Sequence, residues 1–231
     1  MREEPPALLN VENLERRFGG ATALNGLTLS LSDGESVGVT GPNGCGKTTL
    51  VDVVSGFVRP DRGRVWLEGR EITSWPPHQI VRAGMARTFQ LPRCAFRMTV
   101  EQNLEAGTLH RHLGRRGRAQ TVTRVLDLVG LESLRRREAC TLSPGGIRCI
   151  EVGRAVASGA RVLLLDEPFA GLGPSDAPPV LSALRRLRTD GMSMLIVAHG
   201  YTLFQALCDR IAVLEAGHVI QMGRPADLLH A

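Results

Sequence analysis

The rhythm of apolar positions divides the chain into three kinds of segment. Residues 36–40 (Ser36, Val37, Gly38, Val39, Thr40), Val162-Leu163-Leu164-Leu165 and Met194-Leu195-Ile196-Val197-Ala198 are short runs without polar alternation. Such runs predict strands buried on both faces, and the helical stretches between them predict a parallel α/β sheet with helices on each side. Elsewhere the period is two. Leu27, Leu29 and Leu31 alternate with Thr28 and Ser30, so residues 7–31 read as antiparallel strands. The same reading covers Arg64–Leu67 and the pair Ile211–Leu214 and His218–Met222, joined through Glu215-Ala216-Gly217. Between Arg93 and Gly159 the period becomes helical, with helices predicted over Val100–Leu109, Val122–Val129 and the stretch after Ser143. No repeat or low-complexity linker separates these parts, which predicts one domain carrying a helical insertion.

Composition narrows the class. A chain of 231 residues with 43% hydrophobic content can bury a core, and at 4% aromatics that core must be aliphatic. No apolar run reaches the roughly 18–20 residues that span a bilayer, and the start, Met1-Arg2-Glu3-Glu4-Pro5-Pro6, lacks the apolar stretch of a signal peptide. A cytosolic protein is expected, held at a membrane only through a partner. Five cysteines, Cys45, Cys94, Cys140, Cys149 and Cys208, form no C-x-x-C pair, which fits reduced thiols. The net charge of +5 carries less information than its makeup, since 27 of the 28 basic residues are arginine and one, Lys47, is lysine. A lone lysine in such a chain marks a place where a compact ammonium is needed and a planar guanidinium does not fit.

That lysine lies in Gly41-Pro42-Asn43-Gly44-Cys45-Gly46-Lys47-Thr48-Thr49, which matches G-x-x-x-x-G-K-[ST] between a predicted strand and a predicted helix. The glycines let successive N–H groups face one anion at the positive end of the helix. Lys47 is then placed for the β- and γ-phosphates and the Thr48 hydroxyl for Mg²⁺. Cys45 reads as a small filler of a crowded loop. Asp166, ending an apolar strand, suits a Mg²⁺ ligand acting through water, and Glu167 suits the general base for the attacking water. His199 ends the next core strand, where its position alone fits either a hydrogen bond to a γ-phosphate or a satisfied structural histidine.

In their order and spacing these residues resemble the ATP-binding subunit of ABC transporters over nearly the whole chain. Phe18 resembles the aromatic that stacks on adenine, and Gln90 in Thr88-Phe89-Gln90 the glutamine that senses Mg²⁺ and the membrane partner. Leu142-Ser143-Pro144-Gly145-Gly146 resembles the family signature, Ala170-Gly171-Leu172-Gly173 its D-loop, and His199 its switch histidine. Gly84-Met85-Ala86-Arg87-Thr88-Phe89-Gln90, Met98-Thr99-Val100-Glu101-Gln102-Asn103-Leu104, Arg17-Phe18-Gly19-Gly20 and Pro76-Pro77-His78-Gln79-Ile80 resemble the branched-chain amino acid importers. The resemblance implies a P-loop NTPase with a RecA-like parallel core and an antiparallel β subdomain over 1–92 and 160–231, and a helical subdomain over 93–159. It implies ATP and Mg²⁺ as cofactors, permease subunits as partners, and a second ATPase subunit, identical or different. It places the protein on the inner face of the cell membrane. Ser143, Gly145 and Gly146 would act on the ATP of the opposing subunit, Ser143 as N-cap and Pro144 as first helical residue.

The chain also departs from the family. Gly146 stands for the signature glutamine, so Ser143 lacks the reciprocal partner of a capping box. Gly173 replaces the D-loop Asp or Asn, and Ala198 and Gly200 replace acidic neighbours of the histidine. Two other functions were weighed. A nucleic-acid-linked ABC ATPase would use the basic cluster Arg111, His112, Arg115, Arg116 and Arg118, but a solvated helical face accounts for it and no direct nucleic-acid contact is expected. A regulatory nucleotide-binding subunit would hydrolyse ATP weakly.

Overall fold

The computed structural model describes residues 7–91 and 93–228. Strands β1 (Leu9–Phe18) and β2 (Ala21–Leu31) form a hairpin, followed by β3 (Ser36–Thr40) and helix α1 (Lys47–Val54). Then come β4 (Arg62–Leu67), β5 (Arg70–Glu71), α2 (Pro77–Arg82) and β6 (Met85–Arg87). Three helices follow: α3 (Val100–Gly107), α4 (Arg115–Val129) and α5 (Pro144–Ala157). The chain returns through β7 (Val162–Asp166), α6 (Ala177–Thr189), β8 (Ser193–Val197), α7 (Tyr201–Leu207), β9 (Arg210–Glu215), β10 (His218–Gly223) and α8 (Pro225–Leu228).

These strands make two sheets. One is antiparallel, in the order β2-β1-β4-β5, and the other runs β10-β9-β3-β8-β7-β6. In the second, β9, β3, β8, β7 and β6 are parallel and β10 closes the edge antiparallel to β9. The unalternating runs now have their cause. Successive side chains of a strand point to opposite faces, and both faces here are covered. Val162 and Leu164 join the core shared with α1 and the antiparallel sheet, whereas Leu163 and Leu165 join the core shared with α5 and α6. Among the described residues no helix is long and apolar enough to cross a membrane.

Three elements differ from expectation. The β9–β10 hairpin belongs to the parallel sheet, because β9 pairs in parallel with β3 and buries Ile211, Ala212 and Leu214. Helix α4 starts at Arg115, well before Val122, since its first turns are polar and carry no apolar period to read. Strand β6 is three residues long, too short for a period, and exists because β7 offers its edge.

Candidate nucleotide site

The parallel strands end together, and the polar residues at their carboxyl ends surround one cavity of about 450 Å³. Its lining includes Asn43, Gly44, Gly46, Lys47, Thr48 and Thr49 from the loop, with Gln90, Asp166, Glu167 and His199 from three other strand ends. Ala170, the first residue of the segment that resembles the D-loop, and Ala23, which nothing in the sequence marked, complete it.

The loop needs glycine for two separate reasons. Gly46, just before α1, has φ +110°, and a Cβ there would lie 2.3 Å from the Ala23 carbonyl oxygen. Gly41 has φ +150°, and a Cβ would lie 2.1 Å from the Leu214 carbonyl oxygen. Both side chains are excluded by backbone that cannot yield. Lys47 is buried, its Nζ donating to the carbonyl oxygens of Gly41 at 2.8 Å and Pro42 at 2.9 Å. Cys45 is buried with its Sγ 3.7 Å from that ammonium, the filler position expected of it.

Asp166 and Glu167 differ in environment. Asp166 is buried and accepts from Arg87 Nη2 at 2.9 Å. Glu167 sits in the left-handed region at φ +49°, a conformation costing on the order of 1–3 kcal/mol for a residue with a side chain. Its N–H donates to the Val197 oxygen at 2.8 Å, which ties the residue after β7 to the end of the parallel strand β8. Burial pushes its carboxyl above the ordinary carboxylate range, opposed by His199, reinforced by the Asp166 charge and opposed again by Lys47. His199 Nε2 lies 3.3 Å from Glu167 Oε1. A carboxylate made more basic by burial and lying beside a histidine has the chemistry to take a proton from water.

Gln90 is held through its backbone from α5. Arg148 donates to the Phe89 oxygen at 2.6 Å and the Gln90 oxygen at 2.8 Å, while the Phe89 N–H donates to Glu151 at 2.9 Å. Arg148 and Glu151 are themselves a buried ion pair at 2.7 Å. Sequence reading missed these two, because residues far apart in the chain meet there and nothing local marks them.

Other expected residues lie apart from the cavity. Phe18 is 47% exposed, with the Arg16 guanidinium 4.7 Å from its ring centroid. Ser143, Gly145 and Gly146 open α5 and do not line the cavity. Ser143 is the N-cap, its Oγ accepting from the Gly146 N–H at 3.3 Å, and Pro144 is the first helical residue. Gly146 makes no return bond, and a Cβ there would lie 3.1 Å from Leu142 Cβ. Gly145 is tighter: its N–H donates to Asp176 Oδ1 at 3.2 Å, and a Cβ would lie 2.3 Å from the Asp176 carbonyl oxygen. Gly145→Ala should therefore force the backbones of α5 and the segment before α6 apart, at a cost of about 1–3 kcal/mol. Urea unfolding of the variant against the parent measures it, and an unchanged midpoint would contradict the close approach.

The basic cluster has structural partners. Arg111 donates to the Ala157 oxygen at the end of α5 at 3.1 Å, and Arg118 to the Leu113 oxygen at 3.2 Å. Arg111 thereby sets a cation at the C-terminus of α5, which is favourable without any external anion. A second cavity of about 550 Å³ beside α4 includes Arg124 and Arg161, and both are paired, with Asp190 and with Asp33 and Glu68.

A glycine-rich loop opening a helix after β3, and an acidic pair at the end of β7 one strand further across the sheet, face one cavity at the ends of parallel strands. That arrangement defines a P-loop nucleoside triphosphatase. A family model described as ABC transporter matches residues 24–170, and the chain belongs to that family as an ATP-binding, ATP-hydrolysing cassette. The probable branched-chain amino acid transport ATP-binding protein LivG of Archaeoglobus fulgidus is 37% identical over 235 residues, covering 96% of this chain and 91% of that protein. The lipopolysaccharide export system ATP-binding protein LptB of Acidithiobacillus ferridurans is 33% identical over 222 residues, covering 96% and 92%. A crystal structure of an ATP-binding cassette of an ABC transporter, in its ADP conformation, has a TM-score of 0.85 at 30% identity. That likeness covers 97% of this chain and 95% of the other.

Proposed function

We propose that this cassette powers an importer of branched-chain amino acids or a related small polar solute, docked on permease subunits at the inner face of the cell membrane. The observation that carries the ATPase half is the single cavity joining Lys47, Thr48, Gln90, Asp166, Glu167 and His199. The solute rests on the LivG relative and on the strings around Arg17–Gly20, Pro76–Ile80 and Gly84–Gln90, which resemble that branch.

In this reading Phe18 stacks on the adenine, and the backbone N–H groups of 41–49 with the Lys47 ammonium hold the phosphates. The cavity suits Mg²⁺: Thr48, Gln90 and Asp166 offer oxygen donors, which a hard cation prefers. Phosphate oxygens and water would supply the remaining oxygen ligands, as is usual for Mg²⁺ at a nucleotide. Mg²⁺ bound with the nucleotide supplies charge neutralisation at the phosphates. Glu167 accepts the proton of the attacking water, and His199, at 3.3 Å, orients the Glu167 carboxylate and reaches toward the γ-phosphate. The α5 start, with Ser143, Gly145 and Gly146, meets the ATP of a second subunit, identical or different. Residues 93–159 then form the helical subdomain that carries this signature past the core, a two-state cycle biased by ATP.

Reconstitution with the co-purifying permease tests the solute. Leucine, isoleucine or valine with their binding protein should stimulate phosphate release. Stimulation by lipopolysaccharide and not by amino acids would place the cassette with the export relative.

A further inference from the structure

Arg87 has no part in the roles above, yet its guanidinium is held by three side chains beside the site. Its side chain is 9% exposed. One arm donates to Asp52 Oδ1 at 2.5 Å and to Ser55 Oγ at 3.2 Å, both on or beside α1, and the other donates to Asp166 Oδ2 at 2.9 Å. The guanidinium lies 5.6 Å from the Phe57 ring centroid and 5.1 Å from that of Phe89, and these rings pack edge to face at 84°. Its Nε is buried without a hydrogen-bond partner among the described residues. A buried N–H left unpaired costs stability, which the bonds of the two Nη atoms to Asp52, Ser55 and Asp166 must offset.

We propose that Arg87 is the positioning residue for the Asp166 carboxylate. It holds one carboxylate oxygen from the side and ties that side chain to α1, whose first residues are Lys47 and Thr48. Two features make it suited to this. Strand β6 pairs with β7 so that Arg87 stands opposite Leu164, two residues before Asp166, and its side chain runs along the strand to reach it. Two walls, the mutually perpendicular rings of Phe57 and Phe89, lie within cation–π reach of the fork, and the fork spans Asp52 and Asp166 where one ammonium could not. Groups that orient a metal-binding carboxylate without touching the metal commonly set affinity by about 10–100-fold when removed.

The inference rests on Asp166 being the Mg²⁺ residue, and the test separates the two. Mn²⁺, as a paramagnetic probe, is titrated into the ADP complex and the unbound fraction read by electron paramagnetic resonance. Metal-independent ADP affinity is measured in parallel with chelator present. Asp166→Asn should weaken Mn²⁺ binding severely. Arg87→Ala should weaken it by about 10–100-fold while ADP affinity in chelator stays within twofold of the parent. Arg87→Lys keeps the charge, and so keeps the test open if the alanine variant does not fold. It should still lose about tenfold, because one ammonium cannot serve Asp52 and Asp166 together. Phe57→Ala, which removes a wall and no charge, should lose about two- to fivefold. Parent-like Mn²⁺ affinity in both Arg87 variants, with Asp166→Asn impaired, would overturn the positioning role. So would tighter Mn²⁺ binding, the result expected if the guanidinium merely repels the cation. Equal loss of ADP affinity with and without metal would make Arg87 a structural residue only. Parent-like affinity in Asp166→Asn would remove the reading of the metal site itself, and the inference with it.

Discussion

Lys47→Ala and Lys47→Arg should each lose ATP hydrolysis by at least about 100-fold, the scale of removing one preorganised contact to transition-state charge. The alanine case follows from charge. The arginine case is more demanding, because it keeps the charge and asks whether shape matters. Lys47 threads a buried path, its Nζ against the carbonyls of Gly41 and Pro42 and the sulfur of Cys45. The loop around it cannot widen, since Gly41 is backed by the Leu214 carbonyl and Gly46 by the Ala23 carbonyl. A guanidinium is planar, broader, and carries its charge farther from the backbone. In a chain that uses arginine at every other basic position, this site alone refuses it. Steady-state phosphate release on purified variants checks this, and an arginine variant hydrolysing ATP like the parent would contradict it.

Glu167→Gln should slow hydrolysis by roughly 100-fold or more, the scale of a lost general base, while ATP binding survives. The slowed protein should accumulate with Mg-ATP as a dimer on size-exclusion chromatography. The same substitution has a stability corollary. Burial raises the Glu167 carboxyl, so the folded protein holds that proton more tightly than the unfolded chain does. The favourable contribution is complete below the unfolded-state pKa and lost as pH rises through the folded-state value. At neutral pH the ionised carboxylate therefore opposes folding, and the neutral amide should raise Tm. Its left-handed backbone adds to the cost of placing a catalytic group there. Parent-like turnover would reject Glu167 as the base, and a persistent monomer with Mg-ATP would count against the trapped dimer.

What could be read in the sequence was what local chemistry forces. Strands β3, β7 and β8 show as apolar runs because burial on both faces leaves no polar positions, and α1 shows because Leu50, Val51, Val53 and Val54 all face cores. The N-cap at Ser143 was legible because serine is a favoured cap and proline a favoured first residue ahead of a helical period. Partnerships between distant segments were not legible. Strand β6 depends on the open edge of β7, and β9 on the free edge of β3, neither of which leaves a trace in its own residues. Arg87 meets Asp166 from 79 residues away, and Arg148 meets Gln90 from 58 away. An arginine at such a place looks like any other in this chain. The roles proposed for Phe18 and the α5 start came from the resemblance alone, since these residues stand outside the cavity.

That dependence on a second subunit is the centre of the proposal, and specific activity against protein concentration tests it most directly. Phosphate release per subunit is measured over a wide range of concentration at saturating Mg-ATP, for the parent and for Ser143→Ala. The expected result is specific activity that rises with concentration in the parent, because each ATP needs the α5 start of another subunit, and falls at every concentration in the serine variant. Specific activity that is constant with dilution and indifferent to Ser143, in a protein shown to be monomeric throughout, would contradict a site completed across a dimer.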